Sequence, residues 1–116
     1  MGQGEWFSHK EAARLSARVD KTFAALADPH RRRAVELLGE RPRRAGELAD
    51  ALGLPAPMMS RHLRLMKQSG LVQETHPEFD ARVRVYALKD GAMADLKSWV
   101  AETEAMWTAQ LSAFKI

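Results

Sequence analysis

The sequence predicts a mostly helical chain of about five helices with one β-hairpin before the last of them, in the order α-α-α-α-β-β-α, and three observations carry that prediction. Apolar residues recur at spacings of three and four along most of the chain, as they do on one-sided helices. Glycine, proline and aspartate punctuate these stretches where helices begin and end. After Gly70 the apolar period shortens to two, as in strands. With 116 residues, 46% of them apolar, there is material for one modest core and no room for a second domain, so 1–116 is expected to be a single unit.

Ser8, His9, Lys10 and Glu11 have the Ser-x-x-Glu form of a capping box. Leu15, Val19, Phe23 and Leu26 follow at spacings of 4, 4 and 3, which predicts a first helix to about Ala27. Asp28 is placed to cap a second helix with Pro29 at its first position; Ala34, Leu37 and Leu38 form its buried stripe, and Gly39 is expected to stop it. Glu40 to Arg44 reads as a basic turn around Pro42, and a short third helix follows through Glu47, Leu48, Ala49 and Leu52 to Gly53. Gly53 to Pro55 make a tight turn into a fourth helix that starts near Ala56 and runs to Ser69, with Met59, Leu63 and Met66 facing inward and Gly70 as terminator. Leu71 to Thr75 and Arg82 to Leu88 are the hairpin strands, joined by a loop over 76–81. In the second strand Val83, Val85 and Ala87 alternate with Arg82, Arg84 and Tyr86, which predicts one apolar face and one basic, hydroxyl-bearing face. Asp90 is placed to cap the last helix. Its residues Met93, Leu96, Val100, Thr103, Trp107, Gln110 and Phe114 are spaced 3, 4, 3, 4, 3 and 4, a heptad seam that Trp99, Met106 and Leu111 widen.

Charge is unevenly distributed. The chain carries a net +3, divided as +1 over 1–27, +4 over 28–89 and −2 over 90–116. A basic middle between less basic ends suits a nucleic-acid-reading centre, here 28–88, flanked by segments with another task. No stretch approaches the roughly 18 uninterrupted apolar residues of a membrane span. The opening residues MGQGEWFSHKEAAR lack the apolar centre and cleavage site of a secretory signal, so a soluble, cytoplasmic protein without membrane partners is expected. The absence of cysteine excludes disulfides, zinc fingers and thiol catalysis.

Helix, glycine-containing turn, helix and two-stranded ribbon is the order of a winged helix-turn-helix, whose second helix of the pair enters the DNA major groove. The segments F-A-A-L-A-D-P-H-R-R-R-A-V-E-L-L from Phe23, G-E-L-A-D-A-L-G-L from Gly46, S-R-H-L-R-L-M-K-Q-S-G-L-V from Ser60 and R-V-Y-A-L from Arg84 sharpen this. They resemble the ArsR/SmtB family of small dimeric bacterial repressors, closely from Phe23 to Leu88 and more loosely to Phe114. The wing H-P-E-F-D-A-R-V-R-V-Y and the ending W-T-A-Q-L-S-A-F-K are similar to a branch often encoded beside SRPBCC proteins. The resemblance implies a homodimeric repressor, commonly of its own operon. Its fourth helices would sit in successive major grooves of a near-palindromic double-stranded operator until an effector, which the sequence does not name, releases them.

On the fourth helix, the face opposite Met59, Leu63 and Met66 carries Ala56, Pro57, Ser60, Arg61 and Arg64, with Lys67 one turn on. Ser60 can donate or accept at a base edge or phosphate, and Arg61 can make a bidentate contact to guanine. Arg64 and Lys67 lie further from the helix start and suit phosphates. Arg82 and Arg84 of the wing can reach a minor groove or flanking phosphates, and Arg43 and Arg44 are further phosphate candidates. The plainer reading of these cations is solvated helix charge and edge-strand charge that discourages aggregation. His62, beside core Leu63, reads as a packed, hydrogen-bonded histidine. Arg31, Arg32 and Arg33 open the second helix, where a positive helix end disfavours cations; Arg32 is a candidate to pair with an acidic neighbour. The chain departs from the family pattern at Arg44, where a Ser or Thr cap is common, and at Pro55, Pro57 and Met58, so a base preference does not transfer with the resemblance.

Many members of the family sense metals. The thiolate site would need cysteines in R-A-G-E-L-A-D-A-L, and the last-helix site would fall at Asp90, Ala92, Thr103 and Met106, which keeps one ligand of four. No metal or cofactor is therefore expected. There is no Gly-rich phosphate loop, G-x-S-x-G or H-E-x-x-H, and Glu102 and Glu104 point to different helix faces, so an enzyme is not expected either. The competing readings are a protein-interaction module using the aromatic last helix, and a sensor of an unidentified ligand or metal. A helix over 90–114 is too long for one small domain to cover on both apolar flanks. The dimer interface is accordingly expected at 1–27 and 90–116, through Leu15 and Val19 of the first helix and Met93, Leu96, Val100, Thr103, Trp107 and Phe114 of the last.

Overall fold

The computed structural model describes residues 9–76, 80 and 82–114. Ser8 of the capping box, most of the hairpin loop and the last two residues lie outside them. The elements are α1 (His9–Leu26), α2 (Pro29–Glu40), β1 (Arg43–Arg44), α3 (Ala45–Leu52), α4 (Ala56–Gln68), β2 (Val72–Thr75), β3 (Val85–Leu88) and α5 (Ala94–Ala113). This is the winged helix-turn-helix order, five helices with a small antiparallel sheet, and the core lies where α2, α3 and α4 meet that sheet. Ala34, Leu37 and Leu38 of α2, Leu48 and Ala49 of α3, and Met59, Leu63 and Met66 of α4 close on Leu71 and Val72. Each fully buried Leu or Met side chain contributes about 1.5–3 kcal/mol by leaving water.

The caps explain most boundaries. Asp28 Oδ1 accepts from the N–H groups of His30 and Arg31 at 2.8 and 3.2 Å, which starts α2 with Pro29 at its first position. Gly53 takes the left-handed conformation, φ 66°, at the end of α3, and Gly70, φ 81°, follows α4. At Arg44, which takes the place of the family's common Ser or Thr cap, Glu47 Oε1 accepts from the backbone N–H at 3.3 Å, supplying half of a capping box.

Five expectations need correction. Gly39 does not stop α2, because its φ is not positive; the helix runs to Glu40, and Arg41 becomes extended, φ −170° and ψ 160°, as the residue before Pro42 must leave the helical region. The basic turn after it contains β1, whose Arg43 and Arg44 pair with Tyr86 and Val85, giving a three-stranded sheet in the order β1-β3-β2. The last strand begins at Val85 rather than Arg82, since Asp80 Oδ1 and Asp80 O accept from the N–H groups of Arg82 and Val83 and hold that stretch in a turn. Within β3 it is Tyr86 and Leu88 that pack on the core, and all four residues are half-buried because β3 is the central strand. Lastly, α5 starts at Ala94, beyond a turn at Gly91 with φ 72°, and Asp90 does not cap it.

Candidate nucleic-acid interface

The turn between α3 and α4 is held by Leu54 N–H donating to Ala49 O at 2.9 Å, and Pro55 then serves as N-cap of α4. Met59, Leu63 and Met66 are buried at spacings that repeat once per turn, so the rotation of α4 about its axis is fixed by the core. The opposite side presents Ala56, Pro57, Ser60, Arg61, Arg64 and Lys67, all exposed. Met58, which the sequence reading did not single out for contact, is 40% exposed in the first turn, where its thioether could meet a thymine methyl. Pro55 and Pro57 carry no N–H, and those of Met58 and Met59 go to Pro55 O. The helix start is therefore poor in backbone donors, and polar readout from α4 rests on side chains.

The basic residues divide by what holds them. Among the described residues neither Arg61 nor Arg64 forms a hydrogen bond or ion pair, so both guanidinium groups are open to an incoming anion. Lys67 Nζ donates to Glu74 Oε2 at 3.0 Å, and Arg84 Nε lies 3.2 Å from Glu74 Oε1, so one carboxylate gathers the end of α4 and the wing. Arg82 pairs with Asp80 at 3.2 Å and stays exposed. Arg44 is exposed at the start of α3. Arg43 is different: its side chain is only 13% exposed, with Nε donating to Leu37 O at 3.1 Å and Nη2 to Glu40 at 2.7 Å. It closes the C-terminal end of α2, with its guanidinium engaged within the domain.

Two of the arginines that open α2 reach back to the end of α1. Arg31 donates from Nε to Ala25 O at 2.6 Å and from Nη2 to Ala24 O at 3.2 Å, while Arg32 Nη1 donates to Leu26 O and Ala27 O at 2.8 and 3.1 Å. These are the last carbonyls of α1, where orphan acceptors and the negative helix end attract cations. Their position at the start of α2 is thus compensated by the end of α1, and the acidic partner expected for Arg32 is replaced by these carbonyls.

Arg31 Nη1 lies 3.1 Å from His62 Nδ1 of α4, which therefore accepts and carries no proton there. Burial lowers the His62 pKa below its usual 6.5, the Asp28 carboxylate pulls the other way, and Arg31, His30 and Arg61 add to the lowering. Because the folded pKa is below the unfolded one, the unfolded chain takes up the proton first. This contribution to stability is complete above about pH 6.5 and is lost as pH falls through the window below it. A lower melting temperature at pH 5.5 than at pH 7.5 is expected, with a smaller difference in His62→Gln, whose amide oxygen still accepts from Arg31. An unchanged difference in that variant would place the sensitivity elsewhere.

A second surface lies on α5. Phe23 and Trp99 meet edge to face with ring centroids 5.3 Å apart, and Arg18 Nε is 2.7 Å from Asp95 Oδ2, so α5 turns Asp95 and Trp99 toward α1. The heptad seam is rotated by roughly 100° from that side at 100° per residue. Leu96 and Thr103 are half-buried, but Met93, Val100, Trp107 and Phe114 are exposed, Phe114 by 78%. On α1, Val19 is buried and Leu15 half-buried.

Among the described residues no group of three or more His, Cys, Asp or Glu could hold a metal ion, and no helix is long and apolar enough to cross a membrane.

Residues 28–74 match the bacterial regulatory protein family arsR, a span that covers α2, α3, α4 and most of β2. The chain is 34% identical over 95 residues to the HTH-type transcriptional regulator Rv2034 of Mycobacterium tuberculosis (strain ATCC 25618 / H37Rv), covering 82% of this chain and 83% of the relative. It is 26% identical over 82 residues to the transcriptional repressor SdpR of Bacillus subtilis (strain 168), covering 71% and 88%. The homodimeric winged helix-turn-helix DNA-binding domain of Mb0332 from Mycobacterium bovis superposes with a TM-score of 0.61 at 27% identity, over 86% of this chain and 91% of that one. With the family's span laid over the turn and helix that present Ser60, Arg61 and Arg64, the chain belongs to the ArsR family of bacterial winged helix-turn-helix transcriptional regulators, which are DNA-binding proteins and not enzymes.

Proposed function

We propose that the chain acts as a homodimeric repressor that reads a near-palindromic operator with α4 and braces it with the wing. The observation that carries this reading is the division of α4 itself. Met59, Leu63 and Met66 lock one side into the core, and Ser60, Arg61 and Arg64 stand exposed on the other, without hydrogen-bond or ion-pair partners among the described residues. Ala56, Pro57 and Ser60 approach base edges, Arg61 reads a guanine, and Arg64 and Lys67 take phosphates, with Arg44, Arg82 and Arg84 on the flanks. The name of the Bacillus subtilis relative supports repression, and the Mycobacterium bovis domain supports a two-fold assembly. Two copies joined through the seam of α5 would set their α4 helices about 34 Å apart, one turn of DNA.

The test is a mobility-shift titration on DNA from upstream of the protein's own gene at two salt concentrations. Log affinity should fall linearly with log salt, because each phosphate neutralised releases counterions. Arg61→Ala should lose discrimination at one base pair per half-site, by about 1–3 kcal/mol. A salt-independent affinity refutes the reading. Equal weakening on operator and random DNA would make Arg61 a phosphate contact instead.

A further inference from the structure

On the side of the molecule that carries the exposed cations of α4, one acidic side chain stands out. Glu74, at the middle of β2 and paired in register with Tyr86 of β3, has a side chain only 15% exposed. Its two oxygens are divided between two elements: Oε2 accepts from Lys67 Nζ at the end of α4, and Oε1 faces Arg84 Nε just before β3, at 3.0 and 3.2 Å. The cations themselves are 55% and 67% exposed, so the carboxylate lies beneath them and their outer sides remain open. The hydrogen bond from Lys67 is the main cause of a Glu74 pKa below the ordinary carboxylate range, with Arg84 adding to it. At neutral pH the cluster therefore holds two positive charges and one negative, whereas Arg64 and Arg61, about one and two turns earlier on α4, have no acid against them among the described residues.

We propose that Glu74 is a specificity-determining positioning residue of the DNA interface. It fixes the wing cation Arg84 relative to α4, and it cancels one of the two charges that would otherwise attract any phosphate backbone. The inference rests on the reading of α4 and the wing given above. Two effects follow from one carboxylate. Cancelling charge lowers affinity for all DNA alike, because non-specific binding is set by the number of phosphates neutralised. Fixing Arg84 to α4 costs operator binding little and penalises sequences whose flanking groove or phosphates do not match that spacing. Lys67 and Arg84 thus meet DNA as one prearranged pair instead of two independent flexible cations.

Charge and geometry can be separated by substitution, since Glu74→Gln removes the negative charge and Lys67→Gln removes one positive charge. The measurement is affinity against salt for two duplexes, one selected by the wild-type protein from a random pool and one of scrambled sequence, with circular dichroism confirming the fold at the assay temperature. In Glu74→Gln the log–log salt slope on scrambled DNA should steepen by about 0.9 per protomer, the value for one added phosphate contact. Affinity for scrambled DNA should rise, and the ratio of selected to scrambled affinity should fall on the order of tenfold. In the double variant Glu74→Gln/Lys67→Gln the cluster charge returns to its starting value, so the slope should return as well while the ratio stays low, because Arg84 is still untethered. A ratio that recovers with the charge overturns the positioning role. A wild type that prefers its selected duplex, alongside a Glu74→Gln that keeps both slope and ratio, overturns Glu74's role and leaves the interface standing. A wild type with no preference between the two duplexes overturns the interface reading and this inference together.

Discussion

Trp107→Glu is expected to yield a monomer that keeps its helical circular dichroism and loses operator affinity on the order of 100-fold or more. The 20 residues of α5 form a rod of about 30 Å. The side that carries Asp95 and Trp99 is taken by α1, and none of the helix's residues is fully buried within the chain. Trp107 is 65% exposed, so its own domain does not depend on it, yet an indole buries 150–250 Å² when a partner covers it. In a two-fold interface it meets the equivalent seam of the second copy, and a carboxylate there must either be buried unpaired or hold the copies apart. Each half-site is a weak ligand alone, so loss of the dimer removes the gain from binding two grooves at once. Sedimentation of wild type and variant at micromolar concentration checks this. A monomeric wild type, or an intact dimer in the variant, would reject the seam as the interface.

Leu63→Ala should act on the fold instead of the assembly, costing about 2–5 kcal/mol by denaturant unfolding. Leu63 is 1% exposed and sits between Met59 and Met66 in the cluster that anchors α4, so truncation leaves a cavity that neighbouring helices fill only in part. In a small domain whose total stability is about 5–15 kcal/mol, that loss should be visible as a clear drop in melting temperature. A cost below about 1 kcal/mol would mean that α4 is not held through this side.

The helices could be read from the sequence because their signals are local. Asp28 before Pro29, Gly53 after Leu52 and the spacing of Met59, Leu63 and Met66 each report a conformation that depends on a few neighbouring residues. The two-residue strand β1 has no period to detect and exists only because Tyr86 and Val85 lie alongside it. The orientation of β3 departs from the apparent alternation because Val83, which opens that alternation, belongs to the turn at Asp80. For the candidate site, the exposed side of α4 followed from its buried side. Which arginines remain available could not follow from composition. Arg31, Arg32 and Arg43 carry the same charge as Arg61 and Arg64, and only the tertiary fold shows that the first three reach helix-end carbonyls. Glu74 was invisible for the same reason, since residues 67, 74 and 84 meet through the hairpin and not along it.

The guanidinium of Arg31 joins three elements with a single rigid plane. It is carried by α2, holds the final carbonyls of α1 at 2.6 and 3.2 Å, and touches His62 on α4 at 3.1 Å. A planar fork of this kind does not stretch, so α1 cannot twist or slide against α4 without breaking one of its bonds. One side chain therefore ties the stem directly to the reading head. In an assembly joined through α1 and α5, the distance between the two heads is then governed by how the stems cross, and a small change in that crossing angle is carried outward to the major grooves with the full lever arm of the domain.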